Sequence, residues 1–83
     1  MRPSRENVFS TLARLEQSGC LPQDGPVSVF ITEKIGAVRT HPTQIAVKIQ
    51  GDNVYARFTR LPFVRPYVFS RRALRQADVP DCI

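Results

Sequence analysis

The sequence is poor in the residues that most often build metal and redox sites. It contains one histidine, two cysteines and no tryptophan. Cys20 and Cys82 are too few for a disulfide scaffold, and we expect no bridge between them. Together with His41 they show none of the usual ligand spacings, such as Cys-x-x-Cys or His-x-x-x-His. We therefore predict no metal site and no other cofactor.

Catalytic motifs are missing as well. The chain has no Gly-x-Ser-x-Gly and no phosphate-binding loop, and its single histidine offers little for acid–base chemistry. We predict that the protein is not an enzyme. One catalytic alternative stays open, a metal-free nuclease that uses arginines, as in some small toxins.

Long hydrophobic runs are also missing. The longest uninterrupted apolar stretch covers only a few residues, which argues against a membrane-spanning helix. The first residues, Met1 to Glu6, lead into a polar helical pattern instead of an apolar run, so we expect no signal peptide. The sequence predicts a soluble, cytoplasmic protein with no membrane partner.

Acidic residues are absent from one long stretch. Between Asn53 and Ala77 the chain carries six arginines and no aspartate or glutamate, whereas residues 1–52 are nearly neutral. The net charge of +5 therefore belongs to the C-terminal third. Ten of the twelve basic residues are arginine, whose planar guanidinium suits phosphate and carboxylate groups better than the lysine ammonium does.

Apolar residues are numerous enough for one core. The chain has 83 residues, a length that indicates a single domain over 1–83. A hydrophobic content of 42% with five phenylalanines argues against disorder.

The strongest structural signal is a period-two alternation on either side of a turn. Apolar residues stand at positions 45, 47 and 49 and again at 54, 56 and 58. The residues between the two runs, Gly51, Asp52 and Asn53, favour tight turns. The pattern predicts an antiparallel hairpin that buries the apolar positions and exposes the residues between them, which are Lys48, Gln50, Tyr55, Arg57 and Thr59.

One alternative concerns the first half of this hairpin. Residues 43–50 also fit a short helix closed by Gly51, which together with a following hairpin would resemble a winged helix-turn-helix. The β-branched residues and the strict alternation favour the strand.

The N-terminal region predicts an amphipathic helix over 4–18. Val8, Leu12 and Leu15 lie on one stripe of a 3.6-residue period. Ser4 is suited to cap its start, and Gly19 is placed to end it in the left-handed conformation.

The remaining elements are shorter. We predict a strand over 27–32, a second short strand over 34–40 with a bend at Gly36, and a last strand over 63–69 that Pro66 restricts to a sheet edge. Ser70 then caps a helix over 71–77, and 78–83 form a loose tail. The predicted fold is α+β: an N-terminal amphipathic helix packed on an antiparallel sheet of four to five strands, followed by a short C-terminal helix.

The arginines of the acid-free stretch alternate with aromatic residues. Guanidinium groups displace counterions from a phosphate backbone, and aromatic rings stack on exposed bases. The helix that starts at Arg71 would also direct free N–H groups towards an anion. We predict a small basic module that binds nucleic acid, or acts as a regulator, through its arginine- and aromatic-rich C-terminal third, with Phe58, Phe63 and Phe69 in the core. The predicted site consists of Arg57, Arg60, Arg65, Tyr67, Arg71, Arg72 and Arg75.

Two other interpretations remain open. The first is a protein-interaction module, such as a phage- or plasmid-type inhibitor or adaptor that docks an acidic surface, with homodimerisation through a sheet edge at 63–69. The second is a solvated face without a dedicated site, whose arginines pair with nearby carboxylates, namely Glu16, Glu33 and Asp78.

Overall fold

The described part of the chain forms a four-stranded antiparallel sheet, a two-stranded ribbon and two helices. A computed structural model describes residues 4–32, 34–35, 38–39, 42–61 and 63–79. The elements in chain order are α1 (Arg5–Gln17), β1 (Gly25–Ile31), β2 (Lys34–Ile35), β3 (Val38–Arg39), β4 (Thr43–Gln50), β5 (Asn53–Phe58), β6 (Tyr67–Ser70) and α2 (Arg71–Gln76). The main sheet has the order β1-β4-β5-β6, and β2 pairs with β3. The α+β prediction is confirmed.

The central hairpin is the one that the alternation predicts. Val47 pairs with Ala56 and Ile45 with Phe58, so the apolar positions of both strands share one buried face. The helical alternative over 43–50 is wrong, because these residues are strand β4 throughout.

The hairpin turn is shorter than predicted. Gln50 pairs with Asn53, which leaves a loop of two residues, Gly51 and Asp52, and places Asn53 in the strand. Gly51 has a φ of 61°, and no other described residue of the loop has a positive φ. This combination fits a type II′ turn, which needs glycine at its first central position and twists in the same sense as the strands.

Helix α1 covers the buried face of the sheet, as predicted. The Ser4 hydroxyl accepts a hydrogen bond from the Asn7 N–H at 3.2 Å, which caps the first turn. Gly19 has a φ of 77° and ends the helix in the left-handed region. Leu12 is fully buried against the strands, while Phe9 packs on Phe69 with ring centroids 5.5 Å apart.

The shorter elements differ from the prediction in their bounds. β1 starts at Gly25, two residues before the predicted start, and the single strand expected over 34–40 is two short strands. The predicted bend at Gly36 lies outside the described residues. The last strand, predicted over 63–69, is Tyr67–Ser70, so Pro66 precedes the strand. Phe63 was predicted to be core but is 83% exposed.

The C-terminal helix is close to the prediction. Ser70 caps α2 by accepting a hydrogen bond from the Ala73 N–H, and Leu74 at its centre is fully buried. Val79 packs against the core, so the chain is not a loose tail at that point. Residues 80–83 of the predicted tail lie outside the described ranges.

The sheet has one covered and one uncovered face. Both helices contribute buried residues to the core on the inner face. Among the described residues, no helix lies on the opposite face. We call this surface the outer face; it is formed by Pro26, Ser28, Phe30, Gln44, Ala46, Lys48, Gln50, Tyr55, Arg57 and Val68.

Candidate nucleic-acid interface

The structure divides the predicted arginine site into separate groups. Arg71, Arg72 and Arg75 belong to α2, beside the Gly51–Asp52 turn. Arg60 and Arg65 lie at the opposite end of β5 and β6. The six residues of β5 separate these ends by about 20 Å, at about 3.3 Å per residue. The seven predicted site residues therefore do not form one cluster.

Arg71 is part of the core packing. As a member of the predicted binding site it should be exposed, but only 6% of its surface is accessible. Its Nε donates to Glu16 Oε1 at 2.8 Å, and its two terminal nitrogens donate to the carbonyl oxygens of Gln23 and Leu21, each at 3.1 Å. These bonds satisfy the guanidinium on all three nitrogens. Arg71 links α2 to α1 and to the segment before β1, and its guanidinium is enclosed by these internal partners.

Arg75 shares the same carboxylate. Its Nε donates to Glu16 Oε2 at 2.9 Å, although 59% of its side chain remains accessible. The interpretation of a solvated face without a dedicated site included pairing of these arginines with Glu16. This pairing is confirmed for Arg71 and Arg75. Arg72 is exposed. The like charges of α2 are thus offset by a carboxylate of α1 that is far away in sequence.

The start of α2 is occupied by an internal anion. The Asp52 carboxylate accepts hydrogen bonds from the Ser70 hydroxyl at 2.7 Å and from the Arg72 N–H at 3.1 Å, and the Asp52 carbonyl accepts from the Arg71 N–H at 2.7 Å. The hydrogen bond from Ser70, followed by that from Arg72, lowers the pKa of Asp52 below 3.8. The predicted phosphate position at this helix start is therefore filled by the protein itself.

Tyr67 lies on the inner side of the sheet. Its ring contacts Phe58 edge-on, with centroids 5.6 Å apart, and it also contacts Phe69, with centroids 6.3 Å apart. The Arg5 guanidinium lies 4.6 Å from the Phe69 ring centroid and 5.6 Å from that of Tyr67. Tyr67 therefore supports the core and the packing of Arg5, with a cation–π contact that the sequence pattern did not reveal.

The outer face brings together a different set of groups. Lys48 pairs directly with Tyr55 across the strands, and Arg57 stands two residues after Tyr55 on the same side. These three side chains and Pro66 line a shallow depression of about 420 Å³. Lys48 and Arg57 are exposed, and Tyr55 is half-buried. Arg60 and Arg65, both exposed, follow at one end of the face.

Lys48 and Tyr55 are the residues of this group that the predicted site missed. The signal was present, because the alternation places Lys48, Tyr55 and Arg57 on the same exposed face of the hairpin. The predicted site was based on the density of arginines along the chain, and it therefore left out a lysine on the neighbouring strand β4. No acidic side chain is among the described residues that form the outer face.

The remaining sequence candidates can be placed only in part. Cys20 is a free, exposed thiol, whereas His41 and Cys82 lie outside the described residues. Within the described ranges no group of three or more His, Cys, Asp or Glu residues is arranged to hold a metal ion. No helix in the same ranges is long and apolar enough to cross a membrane.

Comparisons with known proteins add no assignment: the chain matches no protein-family model, no curated protein and no solved structure.

Proposed function

We propose that the protein is a small, non-enzymatic module that binds nucleic acid on the outer face of its sheet. The observation that carries the proposal is the juxtaposition of Lys48, Tyr55 and Arg57 on an uncovered sheet face. Two cations flank one aromatic ring, and the described residues of this face include no acid that would repel a phosphate.

The shape of the face favours a single strand over a duplex. A broad sheet does not fit into a groove, but it offers a platform on which unpaired bases can stack. Tyr55 would stack on a base while Lys48 and Arg57 neutralise the adjoining phosphates. Arg60 and Arg65 extend the positive surface along the path of the strand at one end of the sheet.

The dependence of binding on salt tests this proposal. Each phosphate contact on a single strand contributes about 0.7 to the slope of log K against log salt. We expect Arg57→Ala to reduce the slope by about that amount, and replacement of Lys48, Arg57, Arg60 and Arg65 together to reduce it by about two to three. Tyr55→Ala should weaken binding by about 1–3 kcal/mol through lost stacking.

Arg72→Ala is the matched control. It removes an exposed arginine of the same acid-free stretch, but one on α2. Its slope should equal that of the unaltered protein. The titration should use a DNA single strand, an RNA single strand and a DNA duplex. Absence of binding to all three at about 50 mM salt would contradict the proposal, as would equal losses for Arg57→Ala and Arg72→Ala.

A second function is favoured by one observation, the exposure of Phe63. This ring is 83% accessible and stands in the same segment as Arg60 and Arg65. An exposed aromatic flanked by cations has the composition of a binding hot spot for an acidic protein surface, as in an inhibitor or adaptor. Phe63→Ala should then abolish capture of an acidic protein partner while leaving the salt slope for nucleic acid unchanged.

A further inference from the structure

Within the part of the chain that the structure describes, strand β1 forms a free edge of the main sheet. The strand order places β1 at one end and β6 at the other, and among the described strands only β4 pairs with β1. The two edges differ in length, since β1 has seven residues and β6 has four. They also differ in protection, because Arg5 Nη2 donates to the Val68 carbonyl oxygen of β6 at 3.4 Å. The edge predicted for self-association, at 63–69, is thus the shorter and partly occupied one.

The register shows which groups of β1 point away from the sheet. In an antiparallel ladder, residues alternate between pairs that exchange hydrogen bonds and pairs that do not. The two-residue turn makes Gln50–Asn53 a bonded pair, so counting along β4 makes Val27, Val29 and Ile31 the bonded positions of β1. Pro26, Ser28 and Phe30 therefore direct their backbone groups outwards. The lack of an N–H on Pro26 costs nothing at such a position.

Among the described residues, nothing gives this edge the usual protection against pairing. Natural edge strands carry charged side chains, bulges or covering elements. β1 has the sequence GPVSVFI, without a charged residue, and Phe30 on its outer side is 62% exposed. Only Pro26, near the start of the strand, is a residue that discourages pairing.

We infer that two copies of the chain associate through antiparallel pairing of their β1 edges into one eight-stranded sheet. The charge distribution favours a second copy at this edge. Two chains that each carry a net charge of +5 repel each other, and this repulsion is weakest where their surfaces are neutral, as at β1. A strongly acidic partner would find no cation on β1 to pair with. The pairing is also self-complementary, since Ser28 of each copy can exchange both backbone hydrogen bonds with Phe30 of the other.

The geometry of the pair has a further consequence. All outward-directed residues of β1 belong to the outer face, and residues opposite each other in a ladder point to the same side. The outer faces of the two copies must therefore lie on the same side of the joined sheet. The dimer would present two sets of Lys48, Tyr55 and Arg57 on one continuous surface.

Sedimentation equilibrium over a range of protein concentrations up to about 1 mM tests the inference. We expect a monomer–dimer equilibrium that tightens with added salt, because salt screens the repulsion between two positive chains. Phe30→Lys should weaken dimerisation at least tenfold by placing like charges at the edge. Val68→Lys is the matched control, because Val68 is an exposed outer-face residue of the other edge strand, and it should leave the equilibrium unchanged.

Hydrogen exchange gives a second measurement that does not depend on a variant. The amides of Ser28 and Phe30 should exchange fast in dilute protein and become protected as the concentration rises, whereas the Val68 amide should not change. A monomer at every concentration would overturn the inference and leave the edge to an extended segment of another protein. A dimer weakened equally by both lysine variants, or one without protection at Ser28 and Phe30, would overturn it as well.

Discussion

The arginines of α2 and the cations of the outer face differ in role, although the same chemical groups are involved. Arg71 is buried and bonded to α1 and two carbonyl oxygens, whereas Arg57 is exposed on an uncovered sheet face. Both belong to one stretch without acidic residues. The difference shows that arginines close together in the sequence need not form one binding surface. Some are buried in ion pairs and others stay exposed, depending on which carboxylates the fold places beside them.

The largest contrast is expected between Arg71→Ala and Arg57→Ala. Removal of Arg71 leaves the buried Glu16 with the partly exposed Arg75 as its one ion-pair partner among the described residues. Breaking a buried ion pair costs about 3–5 kcal/mol. Arg57→Ala should stay within about 0.5 kcal/mol. Urea denaturation of both variants measures the difference. Equal free energies of unfolding would remove the distinction between a structural and a free group of cations.

Gly51→Val tests whether the turn must have its observed shape to bring Asp52 to α2. Valine at a φ of 61° is strained, so the variant should lose more than about 1 kcal/mol. Gly51→Asn is the control, because asparagine adopts this region more readily and should cost less. Similar losses for valine and asparagine would show that the backbone conformation at Gly51 is not the constraint.

A smaller effect is expected at the far end of α2. Gln17 Nε2 donates to the carbonyl oxygens of Leu74 at 3.0 Å and Ala77 at 2.7 Å, which have no partner within such a short helix. Gln17→Ala should cost about 1 kcal/mol. Gln50→Ala, on the outer face, should cost less than half of that in the same thermal unfolding experiment. A stronger effect at Gln50 would mean that the outer face, too, is tied into the fold.

The smallest effect is confined to acid. Because its folded-state pKa lies below 3.8, Asp52 stabilises the protein above that pH, and this contribution is lost as the pH falls below about 3.8 through the folded-state pKa. Asp52→Asn should therefore be less stable than the unaltered protein at pH 7, and the difference should shrink as the pH falls from 3.8 to the folded-state pKa. Parallel stability curves for the two proteins between these pH values would argue against the bonds to Ser70 and Arg72.

Local patterns predicted the framework well for physical reasons. Alternation forces one side of each strand inwards, and Ile45, Val47, Ile49, Val54, Ala56 and Phe58 are all buried. The helix cap at Ser4 and the left-handed Gly19 follow from backbone hydrogen bonding within a few residues. Such features depend on residues that are close together in the sequence, so the sequence alone is enough to predict them.

The predictions that were wrong concern contacts between residues that are distant in the sequence. Glu16 and Arg71 are 55 positions apart, and nothing in either segment shows that they meet. Phe63 is a large apolar residue of the kind that usually lies in a core, yet it is exposed in the irregular segment before β6. The candidate site differs from the predicted set for the same reason: the predicted residues were neighbours along the chain, whereas strand pairing brings Lys48 next to Tyr55.

The dependence of α2 on other elements bears on how the molecule assembles. Six residues are too few for a helix to persist alone in water. Its start is held by the turn between β4 and β5 and by α1 through the pair of Arg71 with Glu16, and its end is held by Gln17. We therefore expect α2 to appear only after the hairpin and α1 have docked, as the last event on the folding pathway. An isolated peptide spanning residues 53–79 would keep all six arginines of the stretch but would neither fold nor reproduce the pairing that sorts them.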